Sequence, residues 1–438
     1  MSAPERPSLF RSGLQTYGAN IGGAALSLVN VLVMARALGP TGRGDVVFLT
    51  TIAFLVSWLA SMGIDQANIN FAGRERHLMP SLATNSLAFA LVFGIAAIGI
   101  VATLVEVFPA IGGESEAWLR WLILAAIPML IAQIYLKQLP AAFYGFAAIN
   151  LGLFLPSVLN VAVNGTLALA GELTVAAAVI TWVAGQAVTT AISLVYVLRT
   201  VDRFGGLDHA LGRRMIGFGL RAHAGRVMLL GNYRIDQWIL GAISGSRELG
   251  LYSVAVAWSE VLFFLPNALS AVQRPDLVRG DARTAAREGA LVFRVVTLLT
   301  LGGAAVMIVA APILCTTVFG SSFEGSIDDL RVLVLGALGI GALKLLGSAL
   351  TAQGRPLLES AAIGVAFVAI IVLDVLLIPE LGGLGAAIAS AVAYTAGGIA
   401  VMVLFARALG ATAGELLPRP GDIPWLARGL ARRFRRAG

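Results

Sequence analysis

The chain has 438 residues, of which 58% are hydrophobic and only 13% are charged, and its formal net charge is +7. Soluble proteins carry about 25% charged residues, so the composition excludes a globular domain with a single anchor and indicates a polytopic membrane protein. A single cysteine, Cys315, excludes an internal disulfide, and three scattered histidines indicate no metal site.

Long apolar runs recur along almost the whole chain, and a membrane-spanning helix needs about 20 such residues. They predict an all-α polytopic membrane protein with twelve transmembrane helices, centred near residues 26, 54, 92, 127, 158, 186, 229, 260, 299, 339, 368 and 396. The N-terminal segment MSAPERPSLFRSG is polar and leads into a first span that is too long for a signal-peptide core. We therefore expect this span to be retained.

Basic side chains concentrate in alternate loops. The even-numbered loops and both termini hold most arginines and lysines, whereas the opposite loops are short and often acidic, as in EVFPAIGGESEAW and FGSSFEGSIDD. Because cytoplasmic loops carry an excess of Lys and Arg, this pattern predicts that both termini lie in the cytoplasm. No loop is long enough for a soluble domain, so the activity is expected to take place within the bilayer.

The chain contains an internal repeat. A displacement of 206 positions aligns Gly39 with Gly245 and Gly44 with Gly250. Each copy holds six spans, an even number, so the copies share one orientation and the repeat is parallel. This predicts two six-helix lobes, residues 1–208 and 209–411, that face each other across a central cleft. The alternative is a duplication that leaves no functional cleft.

The first span carries a stripe of neutral polar side chains. Asn20, Ser27 and Asn30 fall on one face of the predicted helix. Polar side chains are costly in lipid, so the stripe should face either a water-filled cavity or a packed neighbouring helix. In the first case these residues would contact a substrate.

The seventh span repeats this stripe with charged residues. The counterparts at the offset of 206 are Arg226, Tyr233 and Asp236, within the run that includes GNYRIDQWILGA. On a continuous helix Asp236 would lie within about 80° of Arg226, whereas Arg234 would point about 200° away from Asp236. We expect Arg226, Tyr233 and Asp236 to line a substrate cavity. Arg234 has either a coupling role or a structural partner on a neighbouring helix.

Further charges lie near this stripe. Arg221 and His223 crowd the cytoplasmic half of the seventh span, and Lys344 lies deep in the tenth. With Arg226 they would form an anion-attracting vestibule if the lobes close together. His223 either titrates near neutral pH or is a satisfied polar group. Glu260, in the middle of the eighth span, is either a proton or cation carrier or the counter-charge of an arginine on the seventh.

The C-terminal segment, residues 412–438, ends in GDIPWLARGLARRFRRAG. Its apolar and basic residues separate onto two faces of a predicted helix. This pattern is typical of a surface helix that lies along the anionic cytoplasmic leaflet. The alternative is a disordered, solubilising tail.

Several stretches resemble a known family. NYRIDQWILGAISGSRELGLYSVAVAWSEVLFFLPNAL resembles the start of the second lobe of bacterial polysaccharide exporters, the O-antigen and capsule flippases. VLVMARALGPTGRGDVVFLTT is similar to the first hairpin of that family, and LTAQGRPLLESAAIG and LLIPELGGLGAAIASAVAY to its last three spans. The family belongs to the multidrug, oligosaccharidyl-lipid and polysaccharide (MOP) exporter superfamily. The resemblance covers residues 10–408.

The resemblance implies two lobes in a MATE-like inverted V within the bacterial inner membrane. It implies that alternating access of these lobes moves undecaprenyl-pyrophosphate-linked glycan units to the outer leaflet, for surface polysaccharides such as O-antigen and lipopolysaccharide. Cationic residues, here Arg226 and Lys344, would receive the pyrophosphate. Expected partners are the lipid-linked anionic oligosaccharide, membrane lipids and polysaccharide polymerases, with no nucleic acid. Such a transporter is not an enzyme and needs no cofactor.

Two other functions compete with this one. A cation-coupled multidrug antiporter of the same superfamily needs a buried acid in span one or two. Span one offers Asn20 and Asn30 instead, and Asp65 lies only at the end of span two. A membrane glycan polymerase or transferase needs large extramembrane loops with paired carboxylates, which this chain lacks. No phosphate-binding glycine loop for ATP occurs, so the energy would come from an ion gradient or from the gradient of the cargo.

Overall fold

The computed structural model describes residues 9–113, 115–142, 145–201, 204–419 and 421–422. Over these residues the chain is helical, and no strand occurs among them. The helices are α1 (Leu9–Ala60), α2 (Ile64–Arg74), α3 (Met79–Val107), α4 (Ala117–Leu136), α5 (Gln138–Ala142), α6 (Phe146–Leu169), α7 (Val175–Thr200), α8 (His209–Gly231), α9 (Ile235–Ser259), α10 (Phe264–Arg279), α11 (Ala282–Pro312), α12 (Ser326–Ala352), α13 (Pro356–Leu409) and α14 (Ala413–Leu416). The predicted all-α class is confirmed.

Nine helical segments of the described chain are long and apolar enough to cross a membrane. Three of them suffice for two crossings each, with 40, 45 and 54 residues: Ile21–Ala60, Ile235–Arg279 and Pro356–Leu409. Each of the three bends at a glycine with positive φ, namely Gly39 (67°), Gly245 (82°) and Gly382 (54°). Only glycine adopts such backbone angles without strain. If each bent segment is counted as two crossings, the nine segments give the twelve predicted spans. The seventh of these spans consists of α8 together with the first residues of α9.

The seventh span is not one helix. α8 ends at Gly231, residues 232–234 form a turn, and α9 begins at Ile235. The turn frees backbone groups that lipid cannot satisfy. Tyr394 Oη donates a hydrogen bond to the Asn232 carbonyl at 2.6 Å, and Asn232 Nδ2 donates to the Ile363 carbonyl at 3.2 Å. The angles predicted for a continuous helix therefore do not apply across this turn.

The chain folds into two compact units that divide α9 between them. The first consists of Met1–Leu230 and Gly241–Gly250, and the second of Gly231–Leu240 and Leu251–Gly438. The helix α8 thus packs with the first unit, although it follows the predicted lobe boundary at residue 208. That boundary concerns the sequence repeat, and it stays a prediction.

The two bends that the repeat places in equivalent positions pack against each other inside the first unit. A Cβ atom on Gly44 would overlap the carbonyl of Ser246, and one on Gly250 would overlap the carbonyl of Pro40. Pro40 and Ser246 are themselves equivalent at the offset of 206, so the contact is reciprocal. Ser246 Oγ also donates a hydrogen bond to Asp45 Oδ1 at 2.5 Å. Backbone meets backbone here because neither glycine has a side chain.

The described part of the C-terminal segment docks on α11. Arg294 donates hydrogen bonds to Asp422 Oδ2 at 2.9 Å and to the Glu415 carbonyl at 2.7 Å. A backbone hydrogen bond from Thr412 lowers the pKa of Glu415. Burial acts to raise the pKa of Asp422, but the hydrogen bond and charge of Arg294 bring it below its ordinary value. Residues 423–438 of the predicted surface helix lie outside the described residues.

We predict that Gly44→Ala and Gly250→Ala each lower the free energy of unfolding by about 1–3 kcal/mol, because an added methyl group must push apart two backbones. Thermal unfolding of the purified protein in detergent measures this effect. Gly165→Ala is the matched control, since a Cβ there meets no atom within 4 Å. Equal melting temperatures for all three variants would contradict the close backbone contact.

Candidate functional site

The first unit contains a cavity of about 640 Å³ bounded by α1, α4, α5, α6 and α7. This volume is in the range of small-molecule binding sites. Ser27 and Asn30 of the predicted stripe line it. Asn30 Oδ1 also accepts a hydrogen bond from Asn164 Nδ2 at 2.9 Å, so this residue both faces the cavity and links α1 to α6. The side chain of Asn20 lies outside the described part of the chain.

Amides, hydroxyls and two cations make up the polar part of the cavity wall. The cations are Arg43 and Lys137, and none of the described lining residues is acidic. The neutral polar lining includes Ser27, Asn30, Gln133, Gln138, Asn160, Gln186, Thr189 and Ser193. Such a wall offers donors and acceptors to hydroxyl groups and donors to phosphate oxygens. It offers no negative charge to hold an organic cation.

Lys137 also belongs to a pair of cations on the ring of Trp58. Lys137 Nζ lies 5.4 Å from the ring centroid, and Arg226 Cζ lies 4.8 Å from it. A cation over an indole face is attracted by the ring quadrupole, which offsets part of the cost of leaving water. The side chain of Arg226 is still 37% exposed, so the guanidinium is accessible to a ligand.

Asp65 supplies the counter-charge of this pair. Its Oδ2 lies 3.7 Å from Arg226 Nε and accepts a hydrogen bond from Gln66 Nε2 at 2.7 Å. Asp65 is fully buried, and neither its Oδ1 nor Arg226 Nε has a hydrogen-bond partner. With Lys137 the group holds two positive charges and one negative charge. Asp65 therefore leaves hydrogen-bond donors of Arg226 unused, and the guanidinium can bind a second anion.

The fold brings these residues together at the break between α1 and α2. Gly63 has φ 69° in this break, and a Cβ on it would overlap the carbonyl of Gly219 in α8. Arg226 follows Gly219 by seven residues, two helical turns, and therefore lies on the same face of α8. Asp65 lies in the first turn of α2, where the helix dipole favours a carboxylate. The contact of the two glycines thus sets the position of Arg226 beside Trp58.

Two other predicted residues of α8, His223 and Arg221, make contacts of their own. His223 Nε2 lies 3.0 Å from the Leu59 carbonyl oxygen. Arg221 lines a separate surface cavity with Phe71. The anion-attracting vestibule expected from these residues stays a prediction.

In the second unit, Arg234 and Glu260 form an ion pair. Arg234 Nη1 donates to Glu260 Oε1 at 2.8 Å and to the Tyr233 carbonyl at 3.1 Å. Glu260 is expected to be either a proton or cation carrier or the counter-charge of an arginine, and this ion pair is the geometry of a counter-charge. For Arg234, the same ion pair is the geometry of a structural partner on a neighbouring helix.

A second cluster in this unit contains two buried carboxylates. Asp236 is 2% exposed and accepts hydrogen bonds from Tyr252 Oη at 2.5 Å, the Gln237 amide at 2.7 Å and Ser390 Oγ at 3.3 Å. Asp374 in α13 is fully buried, and neither of its oxygens has a hydrogen-bond partner. Its charge repels that of Asp236. A proton or a small monovalent cation on this pair would remove that repulsion.

Lys344 and Tyr233, both predicted for the substrate site, meet in the second unit. Lys344 Nζ lies 5.0 Å from the ring centroid of Tyr233 and donates to Asn267 Oδ1 at 2.7 Å. Arg226 belongs to the first unit and these two residues to the second. The vestibule expected from Arg226 and Lys344 together stays a prediction.

The sequence does not point to all the residues of these clusters. Trp58, Lys137 and Asp374 are not among the predicted site residues, and Asp65 is predicted only for an antiporter. For Asp374, a lone carboxylate in the apolar run VAIIVLDVLLIP is itself a signal. No group of three or more metal-ligating side chains occurs among the described residues.

The sequence matches a family model described as "Polysaccharide biosynthesis protein" over residues 33–328, more than half of the chain. A search of curated proteins yields no match.

Several solved structures share the fold. An inward-facing multidrug resistance MATE transporter of the MOP superfamily is similar over 89% of this chain and 94% of its own, with 14% identity and a TM-score of 0.70. The lipid II flippase MurJ in an inward closed conformation is similar over 89% and 87%, with 12% identity and a TM-score of 0.70. A MOP superfamily transporter from Pyrococcus furiosus is similar over 92% and 95%, with 13% identity and a TM-score of 0.63. These likenesses confirm the expected transporter fold.

We predict that Asp374→Asn raises the free energy of unfolding by about 1–3 kcal/mol at pH 8 in sodium-free buffer, because a neutral amide is cheaper to bury than an unpaired carboxylate. The gain should shrink at pH 5 or in sodium chloride, where a proton or cation neutralises the wild-type group. Thermal unfolding measures both effects.

The control for this test is Asp328→Asn, because Asp328 is an exposed carboxylate that pairs with Arg331 at 3.2 Å. Its melting temperature should change little under any of these conditions. A melting temperature of Asp374→Asn that equals the wild type at pH 8 and at pH 5 would contradict a charge-sensitive pair.

Proposed function

Because the chain belongs to the polysaccharide biosynthesis protein family, we propose that it is a flippase that moves a lipid-linked anionic oligosaccharide across the bacterial inner membrane. The cargo is a glycan on an undecaprenyl-pyrophosphate carrier, destined for a surface polysaccharide. The lipid II flippase among its structural relatives supports a lipid-linked cargo. The protein acts by alternating access, with no chemical step.

Lys137 is the observation on which this proposal rests. It lines the polar cavity and also shares the ring of Trp58 with Arg226. A headgroup that enters the cavity therefore reaches both cations through adjacent parts of one molecule. Lipid-linked glycans have this form, since a pyrophosphate is bonded directly to the first sugar.

The pyrophosphate is assigned to Arg226 and Lys137. A guanidinium offers forked donors that match phosphate oxygens, and such charge-assisted hydrogen bonds are about twice as strong as neutral ones. Asp65 holds Arg226 at 3.7 Å without a hydrogen bond. An arriving phosphate can therefore replace this weak contact with a stronger one. The carboxylate keeps Arg226 in place when no cargo is bound.

The sugars are assigned to the cavity, whose amide and hydroxyl groups suit many neutral hydroxyls. The acid-free wall favours this cargo over the organic cations of a multidrug antiporter. Asp236 and Asp374 would couple transport to a proton or cation, because their charge must be neutralised when they are buried. The carrier lipid would remain in the bilayer.

We predict that Arg226→Ala reduces export of the glycan at least about 10-fold, because it removes a charge-assisted contact worth about 1.5–3 kcal/mol. Arg226→Lys should recover part of this loss, since a single ammonium replaces the forked guanidinium. Lys137→Met should produce a loss of similar size. The measurement is surface polysaccharide, together with lipid-linked glycan on the cytoplasmic leaflet, in a deletion strain that expresses each variant.

The control is Arg331→Ala, because Arg331 is exposed, pairs with Asp328 and belongs to the second unit rather than the first. It should export normally at equal abundance in the membrane. Normal export by Arg226→Ala would remove that residue from the mechanism. Unchanged surface polysaccharide in the deletion strain, with reduced dye efflux, would replace the flippase by the multidrug antiporter.

A further inference from the structure

A second cavity, of about 430 Å³, opens on the surface of the first unit beside α2 and the first half of α8. It plays no part in the proposed cargo site. Its wall consists of three arginines, two phenylalanines and a glycine: Arg213, Arg214, Arg221, Phe71, Phe218 and Gly217.

The charges of this cavity are unbalanced. Arg214 pairs with Glu75 at 3.2 Å and lies over the ring of Phe71, with 5.1 Å from Cζ to the ring centroid. Arg213 and Arg221 are exposed and make no hydrogen bond or ion pair with any other described residue. Three guanidiniums thus face one carboxylate, and two of them have all their donors available to a ligand.

The spacing along α8 makes the opening. Arg213, Gly217 and Arg221 follow one another at intervals of four residues, so they share one face of the helix. The two arginines are about 12 Å apart along the axis. A Cβ on Gly217 would meet no atom within 4 Å. The glycine therefore leaves a gap between two guanidiniums that a larger side chain would fill.

The floor of the gap is apolar. The rings of Phe71 and Phe218 lie 5.5 Å apart, centroid to centroid. Free phosphate gains nothing from such a floor, whereas the glycerol and upper acyl carbons of a lipid would be buried on it. The ligand that fits both features has a phosphate and an apolar portion.

The surroundings match a membrane surface. The loop that leads into α8 exposes Leu207 by 59% and Phe204 by 37%, and Leu220 is 50% exposed. A bilayer would cover these side chains. The predicted topology also places this end of α8 at the cytoplasmic leaflet, where anionic lipids concentrate.

We propose that this cavity binds the phosphate headgroup of an anionic membrane lipid between Arg213 and Arg221, with Phe71 and Phe218 beneath its glycerol. Arg226 is not among the residues that line this site.

The test is native mass spectrometry of the full-length protein in detergent with dioleoyl-phosphatidylglycerol or dioleoyl-phosphatidylcholine. The wild type should retain phosphatidylglycerol in preference to phosphatidylcholine. Gly217→Leu and the double variant Arg213→Gln with Arg221→Gln should each lower that retention at least about 10-fold, since the loss of even one charge-assisted contact accounts for a change of that size. Gly217→Leu should fold, because leucine replaces glycine in a helix with open space beside it.

Two controls separate the alternatives. Gly99→Leu, at another helical glycine whose Cβ meets no atom within 4 Å, should retain phosphatidylglycerol like the wild type. Arg226→Ala should also retain it, so a failure of the proposed cargo site leaves this result intact. Equal retention of both lipids, no loss in Gly217→Leu, or full displacement of phosphatidylglycerol by millimolar inorganic phosphate would each overturn the lipid site.

Discussion

The turn at residues 232–234 decides where the charges of the seventh span point. Because α8 ends before this turn and α9 begins after it, Arg226 is positioned by the first unit, and Arg234 and Asp236 by the second. The turn itself depends on Tyr394, which satisfies a carbonyl freed from the helix. Interrupted helices of this kind supply binding groups in many transporters, since only there can polar backbone lie at membrane depth. One polar span thus serves two separate clusters.

The clusters differ in how their charges are stabilised. In the first unit, two cations share one indole ring and one loosely placed carboxylate, so positive charge is in excess. In the second unit Arg234 is neutralised by Glu260, whereas Asp374 has no hydrogen-bond partner and lies near another carboxylate. An excess of positive charge suits an anionic cargo, and an unsatisfied acid pair suits a proton or cation. The proposed flippase uses the excess positive charge to bind its cargo and the acid pair to couple transport to a proton or cation.

The internal repeat has retained backbone geometry more strictly than side-chain chemistry. Gly39 and Gly245 have nearly the same backbone angles, φ 67° and 82° with ψ −177° and 177°, and the glycines five residues later make reciprocal backbone contacts. The polar stripes have diverged, since Asn30 is a neutral amide that lines a cavity, whereas Asp236 is a carboxylate buried among hydroxyl donors. Steric exclusion at the bends allows only glycine, but a polar position inside a bundle tolerates any residue that finds a partner.

Periodicity and composition by themselves determined the helical class, the twelve spans and the repeat, because each follows from the cost of exposing polar groups to lipid over lengths of about 20 residues. They also indicated that Ser27, Asn30 and Arg226 face something other than acyl chains. Only the tertiary structure decided the partners. Residues from different helices meet in these clusters. Arg234 pairs with Glu260, Arg226 and Lys137 lie over the ring of Trp58, and Asp374 is buried by neighbouring helices. Their distances depend on glycine contacts and a broken helix, which a continuous helical wheel does not represent.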